Sequence, residues 1–222
     1  MPIFIDKEKN RACKCFIARI FVPPFSWRKR SSAVMVRHVE INHTFKHPFE
    51  KVISAYFQKY TCGKDSNVTS ITVLQHKTVV YVLFGFCDLE DPETGEEYML
   101  RRGECVNVLP GFFKKLCPFP AIQVEEEAWL NSKERCLRLH SYSLTWSKYA
   151  SLEEFSTFKA CENNPNWTSF EQRGSISVYG VGSFIGGMME SFGQSFLQRG
   201  ANKGFNIMED LIMTMSGRYT EA

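Results

Sequence analysis

The segment that most resembles a chemical motif is a glycine-rich turn near the C-terminus. Gly180, Gly182 and Gly186 form a G-x-G-x-x-x-G pattern between a predicted strand and a predicted helix. A dinucleotide-binding turn needs a second parallel strand after that helix, ending in an acidic residue about 20 residues on. Here the predicted helix continues to residue 215 and no strand follows it. The pattern therefore predicts no nucleotide site.

Residues that could act as nucleophiles or metal ligands have unsuitable spacing. The chain contains no G-x-S-x-G, H-E-x-x-H or P-loop motif, and its eight cysteines include no C-x2-C pair. Cys136 and His140 fall on one side of a predicted strand, which is a weak argument for a Cys/His pair. The acidic run at 125–127 is typical of an exposed strand edge. We predict no enzyme, no catalytic residue, no metal site and no cofactor.

Charge is unevenly distributed along the chain. The formal net charge is +3, but residues 1–34 contain eight Lys or Arg and two Asp or Glu, so the remainder is slightly acidic. Nucleic-acid binding needs clustered bases on the folded domain, and the sequence predicts none. We expect residues 1–34 to be a poorly ordered basic extension, residues 35–215 to be one domain, and residues 216–222 to be a tail.

The basic extension allows more than one interpretation. Its apolar run at 15–22 ends at Pro23-Pro24 and is too short for a secretory signal. A mitochondrial presequence fits the basic composition better, and an alternative start or an unusual gene model fits about equally well. The longest apolar stretch, at 79–87, has about half of the ~20 residues that a spanning helix needs. The sequence therefore predicts no membrane span.

Hydrophobic periodicity predicts the elements that would position any site. A strand is expected at 36–45, followed by a helix at 49–60 whose apolar residues recur at i, i+3, i+4 and i+7. Further strands are expected at 68–74, 79–86, 96–102, 122–129, 135–146, 152–161 and 168–179. Turn residues at 91–95 indicate a hairpin, and loop-like separators between the last four strands favour an antiparallel meander.

The last predicted element is a long helix at 181–215 with an apolar stripe. Its stripe includes Phe184, Met188, Phe192 and Phe196, and it also contains six glycines. Each glycine costs up to ~1 kcal/mol relative to alanine, so a kink or a close approach by a sheet or ligand is expected. The predicted fold is α+β, a curved antiparallel sheet wrapped round this helix. Such a sheet leaves an apolar groove beside the helix.

A short amphipathic segment at 108–116 precedes the meander. Leu109, Phe112, Phe113 and Leu116 fall on one helical face, with two lysines beside it. The segment is either a turn of core helix or a mobile flap over a pocket. Periodicity alone does not distinguish the two.

Several stretches resemble the PRELI/MSF1 family. They include E-N-N-P-N-W-T at 162–168, F-E-Q-R-G-S-I-S at 170–177, L-T-W-S-K-Y-A-S at 144–151 and H-P-F-E at 47–50. W-L-N at 129–131, K-G at 203–204 and M-E at 208–209 add to the resemblance, which covers about residues 35–215. Residues 1–34 and 79–87 depart from the family pattern.

The resemblance implies a helix-grip, START-like lipid-transfer fold and a function. Family members reside in the mitochondrial intermembrane space. They shuttle acidic phospholipids, such as phosphatidic acid or phosphatidylserine, between mitochondrial membranes. It also implies a small helical partner with twin C-x9-C motifs and transient contact with a membrane surface. A lipid-binding or regulatory module of the same fold, without efficient transfer, is the alternative, and an enzyme ranks third.

The resemblance also assigns roles to individual residues. Lys59, Asn67, Arg101, Arg102 and Lys203 are the expected contacts of the lipid headgroup. The flap becomes a lid that contains Leu109, Phe112, Phe113 and Leu116. The acyl chains are expected to lie against Phe184, Met188, Phe192 and Phe196.

Overall fold

The fold contains seven strands and three helices in the part of the chain that the structure describes. The computed structural model describes residues 36–79, 96–109, 111–116, 119–145, 147, 149–179 and 182–217. The strands are β1 (Val36–Phe45), β2 (Val68–Val79), β3 (Glu96–Val106), β4 (Ala121–Asn131), β5 (Cys136–Ser143), β6 (Ala150–Ala160) and β7 (Thr168–Val178). The helices are α1 (Phe49–Gln58), α2 (Gly111–Leu116) and α3 (Ser183–Gly217).

All seven strands form one antiparallel sheet. The order is β1-β7-β6-β5-β4-β3-β2, so the strands from β2 to β7 are a meander and β1 pairs with the last strand. The β1–β7 register runs from Val36 opposite Ser177 to Phe45 opposite Thr168. The predicted fold, a curved antiparallel sheet with a long C-terminal helix, is confirmed.

The main hydrophobic core lies between one face of the sheet and the two longer helices. Alternate residues of a strand point to opposite faces, and we call the face that α1 and α3 cover the helix face. The core includes Phe45, Leu137 and Phe158 from the strands, with Val52 from α1 and Ile212 from α3. Each of these side chains is at most 1% exposed. Burying each stabilises the fold by roughly 1.5–3 kcal/mol.

A glycine allows α3 to pack closely on the sheet. A Cβ atom on Gly193 would lie 2.8 Å from Ile176 Cδ1 of β7. The helix buries Met189, Leu197 and Met208, together with Ile212. The expected close approach of the sheet is therefore present at Gly193.

Three details differ from the expectations. Residues 68–74 belong to a strand that continues to Val79, and the remainder of the expected strand at 79–86 and the turn at 91–95 lie outside the described residues. Helix α1 ends at Gln58, not at residue 60. The acidic run at 125–127 is not on a strand edge, because β4 pairs with β3 on one side and β5 on the other.

None of the helices in the described ranges is long and apolar enough to cross a membrane.

Candidate functional site

Lys59, directly after α1, places its ammonium group on the helix face of the sheet. Its Nζ atom lies 4.3 Å from the ring centroid of Tyr56 and 4.4 Å from that of Tyr60. It also lies 3.9 Å from the position that a Cβ on Gly204 of α3 would take. Burial lowers the pKa of Lys59 to about 8, although the nearby Glu126 carboxylate raises it. Among the described residues, no hydrogen-bond acceptor contacts this ammonium group.

Arg101 of β3 is a second cation on the helix face. Its Nη2 donates a hydrogen bond to Glu126, and its guanidinium lies 5.4 Å from the Tyr56 ring centroid and 5.0 Å from that of Phe57. The side chain is only 6% exposed. Its Nε atom is buried and has no hydrogen-bond partner in the described structure. A buried N–H without an acceptor costs about 1–3 kcal/mol, so this atom can gain from an added acceptor.

Glu126 of β4 is the best satisfied carboxylate of the site. Besides Arg101, it accepts hydrogen bonds from Tyr56 Oη at 2.6 Å and Ser141 Oγ at 3.3 Å. Burial raises the pKa of Tyr56 well above its ordinary value, and the negative charge of Glu126 raises it further. The phenol therefore stays protonated. These donors hold Glu126 in place beside Lys59.

Glu154 of β6 has a different environment. Gln172 of β7 donates a hydrogen bond to it. Burial raises the pKa of Glu154 to about 7, against the lowering effect of Lys59. The carboxyl group of Glu154 therefore changes its charge near neutral pH.

Asn67 and Lys203 meet at Asp65, in the loop between α1 and β2. Lys203 Nζ of α3 lies 2.8 Å from Asp65 Oδ1, and the Asn67 backbone N–H donates to the same oxygen at 3.0 Å. Asp65 also raises the pKa of Lys59, so this group is near the Lys59 ammonium. The charge of Lys203 is already compensated by Asp65.

Arg102 is on the opposite face of the sheet from Arg101. Successive residues of a strand alternate in direction, and Arg102 Nε donates to Glu125 Oε1 at 3.1 Å. Glu125 also accepts a hydrogen bond from Tyr142 Oη at 2.8 Å. The structure thus separates Arg102 from the other four expected headgroup residues, and its expected role beside Arg101 does not fit this geometry.

The expected lid forms a six-residue helix. Leu109, just before α2, is buried against Met189 and Val178. The side chains of Phe112, Phe113 and Leu116 lie outside the described part of the structure, so their predicted contacts stay predictions.

The residues expected to contact acyl chains differ in exposure. Phe192 and Phe196 are half-buried, with ring centroids 6.2 Å apart. Phe184 is 79% exposed and Met188 is 48% exposed. All four stay predictions, and Phe184 and Met188 would need an open groove in order to contact a ligand.

Other features are separate from this site. A concavity of about 550 Å³ is lined by Glu104, Phe119, Gln123 and Tyr149, among others, and includes none of the expected site residues. His140 does not contact Cys136 but lies 3.3 Å from Glu127 and 2.8 Å from Glu153. Across the described residues, no three His, Cys, Asp or Glu side chains are grouped so that they could hold a metal.

Sequence reasoning missed the polar groups that surround Lys59. Helical periodicity places Tyr56 and Tyr60 only on an apolar helix face, and it singles out neither Glu154 nor Gln172. One signal was present: Glu154 and Ser156 lie between Leu152 and Phe158 on one strand face, so two polar residues interrupt an otherwise apolar face.

A sheet that grips a long helix, with a charged cluster enclosed between them, defines a helix-grip ligand-binding protein. The comparisons with known proteins make this more specific. The family model described as "PRELI-like family" matches residues 50–218, and the chain belongs to this family. The resemblance to the PRELI/MSF1 family is thereby confirmed.

Two relatives and one solved structure illustrate the similarity. The chain is 25% identical over 184 residues to "Protein slowmo homolog" of Dictyostelium discoideum, covering 82% of this chain and 74% of that protein. It is 29% identical over 183 residues to "CRAL-TRIO domain-containing protein T23G5.2" of Caenorhabditis elegans, covering 79% of this chain but 23% of that protein. The chain thus spans about a quarter of the nematode protein.

The solved structure is that of TTHA0849 from Thermus thermophilus. It has a TM-score of 0.51 and 12% identity, covering 81% of this chain and 99% of that chain. This likeness supports the fold alone.

Proposed function

We propose that the protein is an intramitochondrial phospholipid transfer protein that carries one acidic phospholipid, phosphatidic acid or phosphatidylserine, between membranes. The observation that carries this proposal is the half-buried Lys59 ammonium, which packs against Tyr56 and Tyr60 and has no hydrogen-bond acceptor in the described structure. A buried charge is costly unless it is paired. A phosphate oxygen would supply the missing acceptor.

A second donor supports the same ligand chemistry. Arg101 Nε is a buried N–H without an acceptor in the described structure, and Arg101 and Lys59 both pack against Tyr56. Charge-assisted hydrogen bonds to a phosphate contribute more than neutral ones. Two such donors on one side of a tyrosine favour an anionic headgroup over a neutral one.

The acyl chains require a continuous apolar surface. Moving a two-chain phospholipid into water exposes about 30 methylenes at ~0.8 kcal/mol each, roughly 25 kcal/mol. The half-buried rings of Phe192 and Phe196 on α3 supply part of such a surface. Methionines beside them can adapt to varied chains.

Contact with a membrane would involve the end of the molecule that carries α2. Lys114 and Lys115 of this helix are exposed, and exposed lysines attract an anionic lipid surface. In the proposed cycle, α2 is a lid that opens at the membrane, admits the lipid and closes over it.

The cellular setting of the proposal comes from the family. PRELI-like proteins are associated with mitochondria, and we propose the intermembrane space as the location. We also propose that the protein works with a small helical partner carrying twin C-x9-C motifs. The lipid is the ligand, and the protein needs neither a cofactor nor a catalytic residue for this role.

One observation favours a second function within the same class. Asp65 compensates Lys203, and Glu126 compensates Arg101, so few cations remain free for a headgroup. A lipid-binding or regulatory module that holds lipid without transferring it efficiently is consistent with this balance.

A vesicle assay tests the proposed function. Full-length protein, co-expressed with a twin C-x9-C partner, is incubated with donor vesicles that contain fluorescent phosphatidic acid, phosphatidylserine or phosphatidylcholine, and with unlabelled acceptor vesicles. We expect selective transfer of an acidic lipid. Lys59→Met should reduce that rate about tenfold or more, because it removes a charge-assisted hydrogen bond worth about 1.5–3 kcal/mol.

Lys51→Met is the matched control, because Lys51 is on the exposed side of the same helix. It should transfer at the normal rate. Folded protein that binds acidic lipid but moves none would support the regulatory module, and equal rates for Lys59→Met and Lys51→Met would contradict the headgroup assignment.

The lid provides another test of the proposed function. We predict that the double variant Phe112→Ser and Phe113→Ser abolishes transfer without unfolding the domain. A lid must cover the acyl chains with apolar side chains, and serine cannot do so. Transfer is measured in the vesicle assay and folding by thermal unfolding. A folded double variant with a normal transfer rate would contradict the lid.

A further inference from the structure

Glu154 is less constrained than the other carboxylate of the site. Gln172 is its hydrogen-bond donor, and the described residues include no other donor to it. Glu126, by contrast, accepts hydrogen bonds from Arg101, Tyr56 and Ser141. A ligand can therefore change the environment of Glu154 without disrupting a network.

Glu154 and Lys59 face the same side of α3. A Cβ atom on Gly174 would lie 3.7 Å from Glu154 Cγ. It would also lie 3.0 Å from Leu197 Cδ1 of α3. Lys59 Nζ lies 3.9 Å from the corresponding position on Gly204. Residues 197 and 204 are seven positions apart, so they share one side of the helix about 10 Å apart along its axis.

The two groups also influence each other electrostatically. Burial has the largest effect on the pKa of Glu154 and raises it. The charge of Lys59 has the next largest effect and lowers the pKa of Glu154. Burial lowers the pKa of Lys59, and Glu154 is one of the carboxylates that raise it. Each group therefore stabilises the charged form of the other in the empty site.

Other titratable and charged groups face this pair from each neighbouring element. They are Tyr56 of α1, Tyr60 and Asp65 in the loop after α1, Arg101 and Cys105 of β3, Glu126 of β4, Lys203 of α3, and His43 of β1, which stacks on Phe205 of α3. Burial raises the pKa of Tyr60 and of Cys105, so both stay neutral near pH 7. Arginine stays charged. Burial lowers the pKa of His43 below 6.5, so this side chain is mostly neutral above that pH. Changes between pH 6.5 and pH 8 therefore act on Glu154 and Lys59.

We propose that Glu154 competes with an anionic headgroup for Lys59, so that above pH 7 the site takes up a proton together with each singly charged anionic lipid. This inference rests on the proposed function. A phosphate on Lys59 compensates the positive charge that favours ionised Glu154, and it places a second negative charge nearby. The Glu154 carboxyl group then binds the proton, and Lys59 keeps its own.

The direction of the pH dependence follows from the two groups. Below about pH 7 Glu154 is mostly neutral and Lys59 is charged, so the site attracts an anion. Above pH 7 ionised Glu154 repels it, and above about pH 8 Lys59 loses its charge. Between pH 6 and pH 8 we expect the affinity to fall by about tenfold through Glu154 and about twofold more through Lys59.

Calorimetric titration with a short-chain phosphatidylmethanol tests this inference. That lipid carries one constant negative charge between pH 6 and pH 8 and has no ammonium group, and its short chains keep it monomeric in water. Full-length protein should bind it about 20-fold more weakly at pH 8 than at pH 6. Glu154→Gln should reduce that ratio to about two- to threefold.

Glu153→Gln is the matched control. Glu153 precedes Glu154 on β6 but points to the opposite face of the sheet, where it contacts His140. It should keep the 20-fold ratio. A Glu154→Gln protein with the full ratio, or a wild-type protein with no pH dependence, would overturn the inference.

A second measurement does not depend on a variant folding correctly. Titrations of the wild-type protein at pH 7.5, in two buffers with different ionisation enthalpies, give the number of protons bound with each lipid. We expect about one, and zero would overturn the inference. Protein that binds neither phosphatidylmethanol nor phosphatidic acid at any pH would instead contradict the proposed function itself.

Discussion

Three neighbouring glutamates show how far the partners of a side chain decide its role. Glu125 and Glu127 are on the face of the sheet away from the helices, where they contact Arg102 and Tyr98. Glu126 points to the helix face, where Arg101 and Tyr56 donate to it. Identical residues at adjacent positions thus belong to two unconnected networks, because strand residues alternate in direction.

At the residue scale, Glu154 has a predictable effect on stability. Its pKa of about 7 in the folded protein is above its ordinary value of 4.5, so folding takes up a proton between these two pH values. Above pH 7 the folded state must bury the ionised carboxylate, and below the ordinary value this cost is absent. We predict that Glu154→Gln raises the free energy of unfolding by about 1–3 kcal/mol at pH 8, with a gain that fades towards pH 5.

Urea unfolding at both pH values measures this change, with Glu153→Gln as the control on the other face of β6. An equal gain at pH 8 and pH 5 would show that the effect does not come from ionisation of Glu154.

At the element scale, two glycines of α3 have different surroundings. Gly193 lies where the helix approaches Ile176 of β7, and a Cβ there would be 2.8 Å from the Ile176 Cδ1 atom. At Gly200 a Cβ would have no atom of another element within 4 Å. The first glycine is explained by packing, whereas the packing contacts do not require the second.

We therefore predict opposite effects of two substitutions in α3. Gly200→Ala should raise the free energy of unfolding by about 0.5–1 kcal/mol, because alanine favours the helix over glycine. Gly193→Val should lower it by about 1–3 kcal/mol, because the larger side chain overpacks the contact with Ile176. Both changes are measurable by urea unfolding. A destabilised Gly200→Ala protein would mean that this position has a contact partner.

At the scale of the whole molecule, sequence periodicity predicted much of the architecture. The first strand at residues 36–45, the meander and the C-terminal helix were all expected. These elements are local, since each is marked by its own apolar period and its own turn residues. The family resemblance added the expected headgroup set, of which Lys59 and Arg101 lie together on the helix face.

The remainder depended on long-range contacts. Arg101 and Arg102 were both expected as headgroup contacts from one strand, because the register of that strand was not known from the sequence. Phe184 and Met188 of α3 were expected to line the groove, and both are exposed, whereas Met189 and Leu197 beside that stripe are buried. Helical periodicity in the sequence predicts an apolar stripe on α3. The packing of α3 on the sheet determines which residues on or beside that stripe are buried.

The pairing of β1 with β7 also has a consequence for the order in which the chain can fold during synthesis. The strands from β2 to β7 can pair in succession as they leave the ribosome, because each follows its neighbour in the chain. The first strand must wait for the last, since Phe45 pairs with Thr168 and Val36 with Ser177. Closure of so long a loop is entropically costly and slow. Until β7 emerges, the backbone N–H and C=O groups of β1 have no partner strand, so the nascent chain has to keep this edge from other strands until β7 has been made.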